Sequence, residues 1–291
     1  MEQINIVSVS DNQYAEYMAV MIQSILMNRK DKSFMSFYII DCGIQKDNLD
    51  ILSNVVEAHH CEINFIRSDY SKCKDFQVHG HISHAAYVKL QMPSLLHDLN
   101  KIIYLDGDLI VLDDLAKLWS CDVKNAALCA AGNPKTKPSS YINVPADKKV
   151  FNSGVMIIHL DRWREEKIEE KTLNYLKENS HKLKFHDQAA FNAVLYDRWS
   201  SLEAKWNVQS AFYNVKNLNT IYSESEIISA LQNPSIVHFT SNSKPWQFRN
   251  GHPYKKKFIE YYKEVFGRKP EYRDVNLISF LKRVKEEIEY L

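Results

Sequence analysis

The sequence predicts an α/β fold with a mostly parallel sheet flanked by helices. Short apolar, β-rich segments alternate along the 291 residues with helical segments. Helical stretches of about 10–15 residues between strands are typical of β-α-β units, because parallel strands need a crossover connection. The composition, 45% hydrophobic and 25% charged, is that of a globular protein rather than a disordered chain.

The elements follow one another in a regular order. We expect strands at residues 4–9, 36–41, 62–66, 102–105, 126–131, 155–160, 199–202 and 236–239. We expect helices at residues 14–27, 45–57, 84–96, 167–178, 189–196, 254–265 and 274–290. Pro93 should bend or end the third helix, because proline lacks a backbone donor. The Gly- and Pro-containing segment 266–270 predicts a linker between a domain at 1–265 and a helical C-terminal appendage at 266–291.

Charge and cysteine usage narrow the classes of function. The formal net charge of +1 gives no reason to expect a nucleic-acid partner. Five cysteines without a C-x-x-C pair are interpreted as reduced thiols. No secretion signal is recognisable, and no window reaches the roughly 18 apolar residues of a membrane span. We therefore expect a cytoplasmic protein.

The segment KIIYLDGDLIVLDD (101–114) contains the most informative pair of residues. Asp106 and Asp108 follow an apolar strand, and residues two apart on an extended chain point to the same side. Gly107 keeps the backbone between them uncrowded. Two carboxylates at one place repel unless a cation lies between them, and carboxylate oxygens suit Mg²⁺ or Mn²⁺. The alternative is that one aspartate caps a turn and the other is solvated.

Five further polar stretches accompany this pair. They are the loop Ser10-Asp11-Asn12-Gln13-Tyr14, the segment HGHISHAAYVKL (79–90) with Lys89, Phe151-Asn152-Ser153-Gly154, His186-Asp187-Gln188, and VHFTSNSKPW (237–246). In order and spacing, the set resembles glycosyltransferase family 8, the retaining nucleotide-sugar transferases. The resemblance runs from about residue 4 to about residue 262, and it implies a GT-A type domain with a Rossmann-like sheet.

The resemblance also assigns roles to residues. It implies that Asp11, Asn12 and Tyr14 bind uridine, and that Asp106, Asp108 and His238 hold Mn²⁺, with Mg²⁺ as the alternative ion. Lys89, Gly107 and Lys244 would contact the diphosphate, and Asn152, Asp187 and Gln188 would line the donor hexose and the reaction centre. Four positions depart from the family pattern: Gln13 stands where many relatives have asparagine, Lys89 where many have arginine, Ser241 where many have glycine, and Asn133 where many have an acid.

The implied activity is transfer of a hexose from UDP-galactose or UDP-glucose to a saccharide, glycolipid, glycoprotein or lipopolysaccharide acceptor. A cation and two lysines would stabilise the negative charge on the departing diphosphate. Because the amide of Gln188 is a poor nucleophile, we favour same-face attack over a covalent intermediate.

Other interpretations stay open from the sequence alone. A D-x-D after a strand also occurs in haloacid-dehalogenase phosphatases, and a non-catalytic nucleotide-sugar-binding protein would keep the same fold. His238 could be an ordinary core histidine, Asn152 a turn cap and Asp187 a helix N-cap.

The last expected helix carries an apolar stripe of Ile278, Leu281, Val284 and Ile288. We expect this helix to dock on the body of the protein, since the glutamates at 286, 287 and 289 would be repelled by anionic lipid. The alternative is peripheral contact with the inner face of a membrane, assisted by the basic residues at 255–257 and 268–269.

Overall fold

A seven-stranded, mostly parallel sheet lies at the centre of the protein, as the sequence predicts. The computed structural model describes residues 3–30, 33–68, 85–123, 126–134, 136–138, 143–179, 186–213 and 222–290. The strands are β1 Ile4–Ser10, β2 Met35–Asp41, β3 Glu62–Arg67, β4 Lys101–Leu105, β5 Leu109–Val111, β6 Leu128–Gly132, β7 Phe151–His159, β8 Trp199–Ser201, β9 Val208–Gln209 and β10 Ile236–His238. The large sheet has the order β3-β2-β1-β4-β7-β6-β8, and a small sheet has the order β5-β10-β9.

The large sheet is parallel except at β7. β3, β2, β1 and β4 are parallel to one another, β7 is antiparallel to both of its neighbours, and β8 pairs parallel with β6.

The helices are α1 Ala15–Asn28, α2 Lys46–Glu57, α3 Ala85–Val88, α4 Met92–Leu95, α5 Leu115–Trp119, α6 Leu160–Glu165, α7 Ile168–Asn179, α8 His186–Leu195, α9 Glu224–Gln232, α10 Lys255–Phe266 and α11 Leu277–Glu289.

The two faces of the sheet are covered by separate apolar clusters. Alternate strand residues enter different clusters: Val7 and Tyr104 lie in one, whereas Ile6 and Ile103 lie in the other. Side chains that alternate between faces are the expected consequence of the two-residue repeat of a strand. Burial on both faces explains why these strands are nearly continuous apolar runs.

Two expected elements differ most from the structure. The helix predicted at 84–96 is divided into α3, a 3₁₀ turn at Lys89–Gln91 and α4. Pro93 does not end a helix but stands in the first turn of α4, where its missing N–H has no partner to lose. The strand predicted at 155–160 begins earlier, at Phe151. Asn152 therefore lies inside β7, and its interpretation as a turn cap is wrong.

The D-x-D segment connects the two sheets. Residues 106–108 lie in the bend between β4 of the large sheet and β5 of the small one. The backbone N–H of Asp106 donates to the carbonyl of Gly154 in β7 (2.9 Å), and the N–H of Phe239 after β10 donates to the carbonyl of Asp108 (3.0 Å). The two carboxylates converge because each end of this bend is tied to a different sheet, not because the chain is extended.

Helix α11 docks on the body of the protein with its polar face. Glu286 accepts hydrogen bonds from the Gly251 N–H (2.9 Å) and the Ser243 hydroxyl (3.0 Å). A Cβ atom on Gly251 would lie 2.7 Å from the carbonyl oxygen of Arg283, so glycine is needed for this approach. The expected docking is therefore observed, but the expected apolar stripe is not the docking surface. Its members Ile278, Leu281 and Ile288 are 58–66% exposed.

Within the described ranges, no helix combines the length and the apolar character needed to cross a bilayer. The boundary between a domain at 1–265 and an appendage at 266–291 stays a prediction, although α11 follows the Gly267–Pro270 segment as expected.

A buried histidine lies under the α11 contact. His252 is 3% exposed and packs between the rings of Phe239 (4.8 Å) and Tyr290 (5.5 Å). Its Nδ1 accepts a hydrogen bond from the N–H of Tyr254, and its Nε2 has no hydrogen-bond partner among the described residues. Burial lowers the pKa of His252 to about 3, because an imidazolium would lose its hydration here.

We expect His252 to make the fold acid-sensitive. Because the pKa is lowered in the folded protein, His252 binds a proton in the unfolded chain at pH values where it stays neutral in the folded one. The contribution of neutral His252 to stability is therefore complete above pH 6.5 and is lost as the pH falls toward 3. The His252→Asn variant removes this titration while keeping an acceptor for Tyr254. The difference in the free energy of unfolding between the two proteins should shrink by about 1.4 kcal/mol per pH unit in this window.

Urea unfolding at a series of pH values measures this difference. His97, with 75% of its side chain exposed, supplies the control variant His97→Asn, whose difference from the wild type should not follow the same slope. If the free energies of unfolding of the wild type and the His252→Asn variant differed by the same amount from pH 6.5 to pH 4, the prediction would be contradicted.

Candidate active site

Asp106, Asp108 and His238 form a compact group of side chains whose donor atoms suit a metal ion, and we call them the metal-binding group. The Nε2 atom of His238 lies 3.1 Å from Asp108 Oδ1 and 3.8 Å from Asp106 Oδ2. One potential ligand atom from each residue lies within 4.8 Å of the others. Neighbouring ligands of an ion with bonds of about 2.1 Å lie about 3 Å apart or more, so these three residues fit a small divalent cation. Carboxylate oxygens with one imidazole suit Mn²⁺ and Mg²⁺ better than a soft metal.

Gly154 provides the space for this group. A Cβ atom at this position would lie 2.2 Å from Cε1 of His238 and 2.6 Å from Oδ2 of Asp106. Any side chain would therefore displace the histidine ring or the carboxylate. Gly107 is not constrained in this way, because its Cβ would make only an ordinary contact with Met18 at 3.6 Å. The glycine that the packing requires is thus the one in β7, not the one inside the D-x-D.

Two buried lysines neutralise the carboxylates. The ammonium of Lys244 lies 2.6 Å from Asp108 Oδ2, and it donates to the carbonyl of Phe239 at 2.6 Å. Burial alone would raise the pKa of Asp108, but the Lys244 ammonium and the His238 ring hold it well below its usual range. Asp108 therefore stays ionised, as a metal ligand must.

Lys89 occupies the other side of the site. Its ammonium lies 2.6 Å from Asp187 and 3.3 Å from Asp106, and only 5% of its side chain is exposed. Burial acts to lower the pKa of Lys89, but the two carboxylates overcome this effect and raise it. The sequence suggested a lysine reaching for phosphate, and the structure instead gives it carboxylate partners. Residues 79–84 of the same motif, including His79 and His81, lie outside the described residues.

A chain of amides lines the space beside the metal-binding group. The Asn152 Nδ2 donates to Gln188 Oε1 (3.0 Å), and so does the N–H of Ser153 (3.2 Å). The hydroxyl of Ser153 donates to Asp187 Oδ2 (3.1 Å). Asp187 stands in the first turn of α8 and uses its carboxylate for Lys89 and Ser153. Its interpretation as an N-cap is therefore wrong, since an N-cap precedes the helix.

The turn between β1 and α1 forms a third side of the site. Asp11 Oδ1 accepts from the N–H groups of Gln13 (3.0 Å) and Tyr14 (3.3 Å), which fixes the turn. The Asn12 side chain points elsewhere, because its Oδ1 accepts from the Gln45 N–H at 2.9 Å, just before α2. Tyr14 packs edge-on against Trp246 with ring centroids 5.8 Å apart.

The electrostatics connect Tyr14 to the metal-binding group. Burial raises the pKa of its hydroxyl, and the negative charge of Asp108 raises it further. The ring of Tyr17, one helical turn after Tyr14, stacks on Trp246 with ring centroids 3.7 Å apart. The aromatic surface formed by Tyr14, Tyr17 and Trp246 therefore lies beside a charged site.

Sequence reasoning missed two buried residues of the site, Asn207 and Tyr104, whose hydroxyl donates to Asp106 Oδ1 (2.8 Å). Asn207 ends the 3₁₀ turn Ala204–Asn207, and its amide bonds to both His238 and Asn152. The dipeptide Trp206-Asn207 has no spacing or charge pattern that marks it, so only the folded chain reveals it. Apart from Asn12, the site residues named from the sequence lie around one centre of acids, lysines, amides and aromatic rings.

Comparisons with known proteins identify the family of this chain. The sequence profile described as "Glycosyl transferase family 8" matches residues 5–250. General stress protein A of Bacillus subtilis (strain 168) is 34% identical over 266 residues, covering 89% of this chain and 93% of the relative. Lipopolysaccharide 1,2-glucosyltransferase of Escherichia coli (strain K12) is 24% identical, covering 98% and 85%.

A solved structure extends the match to the fold. The galactosyltransferase LgtC, in complex with donor and acceptor sugar analogs, superposes with a TM-score of 0.78 at 21% identity, covering 96% of this chain and 100% of LgtC. Such a match over the whole chain identifies the α/β fold as GT-A type. Together with the profile match, it excludes the phosphatase interpretation of the D-x-D segment. The chain belongs to glycosyltransferase family 8.

Proposed function

We propose that this glycosyltransferase moves a hexose, galactose or glucose, from a UDP-sugar to a saccharide-bearing acceptor, with Mn²⁺ or Mg²⁺ and with retention of configuration. Glycolipids, glycoproteins and lipopolysaccharide-type saccharides are the acceptor classes that fit. The observation that carries the proposal is the convergence of Asp106, Asp108 and His238 beside two buried lysines. The family match, rather than the charges, argues against a binding protein without activity.

The chain's own charges explain how a diphosphate would be held. Asp106, Asp108 and His238 would hold the cation, which when bound supplies Lewis-acid stabilisation of the diphosphate oxygens. Among the described residues, two ammonium groups pair with the three carboxylates of Asp106, Asp108 and Asp187. With the charge of Asp106 and Asp108 taken up by the cation, Lys244 would be free to turn toward phosphate oxygens, and Lys89 would keep its shorter pairing with Asp187 (2.6 Å) at the edge of the same site. The leaving diphosphate then needs no proton donor.

The amide cluster supports a role in binding the donor hexose. Asn152, Asp187 and Gln188 present hydrogen-bonding groups next to the metal-binding group, and all three are at most 9% exposed. Buried polar groups of this kind reject sugars that cannot satisfy them. Gln188 is an amide, which is a poor nucleophile, so attack by the acceptor on the face that the diphosphate leaves is the mechanism that we propose.

The aromatic turn supports a role in binding uridine. Tyr14 and Trp246 offer ring surfaces for the base, and Asp11 carries a carboxylate on the same turn. Asn12 fits a different role, since its amide joins this turn to the residues at the start of α2.

We further propose that α11 lies against an anionic membrane surface, where a lipid-linked acceptor would be found. Its outer side carries the exposed Leu277, Ile278, Leu281 and Ile288, and the exposed Lys282 and Lys285. Of the three glutamates that anionic lipid would repel, Glu286 is bound to Gly251 on the docking side, whereas Glu287 and Glu289 are exposed and form ion pairs with Arg283 (2.8 Å) and Lys285 (3.6 Å). Lys255 does not contribute to this surface, because it is buried and donates to three backbone carbonyls.

The metal-binding group should make UDP release depend on a divalent cation. The wild type should release UDP from UDP-galactose or UDP-glucose only with Mn²⁺ or Mg²⁺. The variant Gly154→Ala should lose at least about tenfold in Mn²⁺ affinity, measured by calorimetry, because the added methyl group displaces a ligand and each tenfold is about 1.4 kcal/mol. Gly251→Ala is the matched control, since it creates a comparable clash at α11 and should keep the Mn²⁺ affinity. UDP release that is unaffected by chelation would contradict the proposal.

Gln188 should assist the reaction without forming a covalent bond to the sugar. Gln188→Ala should lower kcat by about 10- to 100-fold, because the loss of one or two hydrogen bonds near the reaction centre costs about 1–3 kcal/mol. The wild type incubated with donor should show no added hexose mass by intact mass spectrometry. Complete loss of activity in the variant, together with a sugar adduct on the wild type, would overturn same-face attack.

The exposed apolar residues of α11 should be needed for binding to anionic vesicles. The double variant Leu281→Glu, Ile288→Glu should lose sedimentation with vesicles containing anionic phosphatidylglycerol, while its activity on a soluble acceptor stays unchanged. Ile228→Glu is the control, because Ile228 is an exposed apolar residue on a different helix. Equal sedimentation of the wild type and the double variant would exclude this surface as the membrane contact.

A further inference from the structure

Asn207 bridges two parts of the site through one side chain. Its side chain is fully buried. Asn207 Nδ2 donates to Asn152 Oδ1 (2.9 Å), and Asn207 Oδ1 lies 3.0 Å from His238 Nδ1. A metal-binding residue and a sugar-site residue therefore share one amide as a partner.

A backbone group fixes the direction of this bridge. The N–H of Gly154 can only donate, and it donates to Asn152 Oδ1 at 3.0 Å. Asn152 Oδ1 is therefore the acceptor end of that amide, and the group of Asn207 that faces it must be the NH₂. The carbonyl oxygen of Asn207 is then left for His238. The orientation of both amides follows from a peptide group that cannot flip.

This direction decides which nitrogen of His238 carries its proton. An acceptor at Nδ1 requires an N–H there, so in the neutral ring the lone pair is on Nε2. Nε2 is the atom that faces Asp108 Oδ1 at 3.1 Å. The lone pair on Nε2 and the carboxylate repel each other, and a cation between them would remove this repulsion. A hydrogen bond at the second ring nitrogen is the usual way to orient a metal-binding histidine.

We infer that Asn207 is a positioning residue: its carbonyl holds His238 with Nε2 directed at the cation, and its NH₂ couples that ligand to Asn152 and Gln188 of the sugar site. This inference rests on the proposed metal-dependent transfer. Asn207 touches neither the cation nor the sugar, and it acts through the two residues to which it bonds.

The two ends of the amide can be tested separately. Asn207→Leu removes both hydrogen bonds, and Asn207→Asp keeps an acceptor for Nδ1–H but has no donor for Asn152. Asn192→Leu is the control, because the Asn192 amide is also fully buried but bonds only to backbone atoms of Phe151 and Gln188. The probes are Mn²⁺ affinity by calorimetry, electron spin echo detection of ¹⁴N bound to Mn²⁺, and donor kinetics.

We expect Asn207→Leu to bind Mn²⁺ about 10- to 100-fold more weakly and to lose the ¹⁴N signal. Asn207→Asp should keep both the Mn²⁺ affinity and the signal, and should be impaired in KM for the sugar donor or in kcat. Asn192→Leu should lose stability and keep the signal.

Three results would overturn the inference: a folded Asn207→Leu variant with wild-type Mn²⁺ affinity, loss of the ¹⁴N signal in Asn207→Asp, or equal loss in Asn192→Leu. If Asn207→Leu does not fold, the signal of Asn207→Asp decides alone. A wild type without ¹⁴N coupling to Mn²⁺ overturns the proposed metal site together with the inference. A wild type with the coupling, and variants identical to it, overturns the inference only.

Discussion

The repulsion between Asp106 and Asp108 is the constraint around which the site is organised. Burying charges without partners costs several kcal/mol per ion, so such a pair persists only if positive charge is supplied locally. Here Lys244 pairs with Asp108 and Lys89 pairs with Asp106, and His238 lies against both acids. The same constraint keeps β7 free of a side chain at Gly154, where a methyl group would enter the cluster. The fold thus compensates the two acids with lysines from two distant segments of the chain.

The sequence predicted those features that depend on local patterns. Apolar runs and their spacing placed the large sheet, because strands buried on both faces must be apolar throughout. The D-x-D pair, the lysines and the amides were recognisable because each belongs to a short motif. The strands β5 and β9, of three and two residues, were missed. Such strands exist through pairing with β10, which is distant in the chain.

Partners that come from distant parts of the chain could not be predicted. Asn207 is ordinary in sequence and acquires its role only when its turn packs beside β7 and β10. Lys89 was expected beside the diphosphate, and its pairing with Asp187 depends on how α3 packs against α8. The amphipathic pattern of α11 identified two faces without identifying which one docks. The backbone N–H of Gly251 requires an acceptor, and Glu286 supplies it from the polar face.

The position of the D-x-D bend has a thermodynamic consequence. Asp106 is tied to β7 in the large sheet, and Asp108 is tied to the residue that follows β10 in the small sheet. Any ion coordinated by both acids is therefore a crosslink between two sheets that share no strand. By linkage, the ion would stabilise the folded domain as a whole by RT ln(1 + [ion]/Kd), so cellular cation levels would set its resistance to unfolding as well as its catalytic competence.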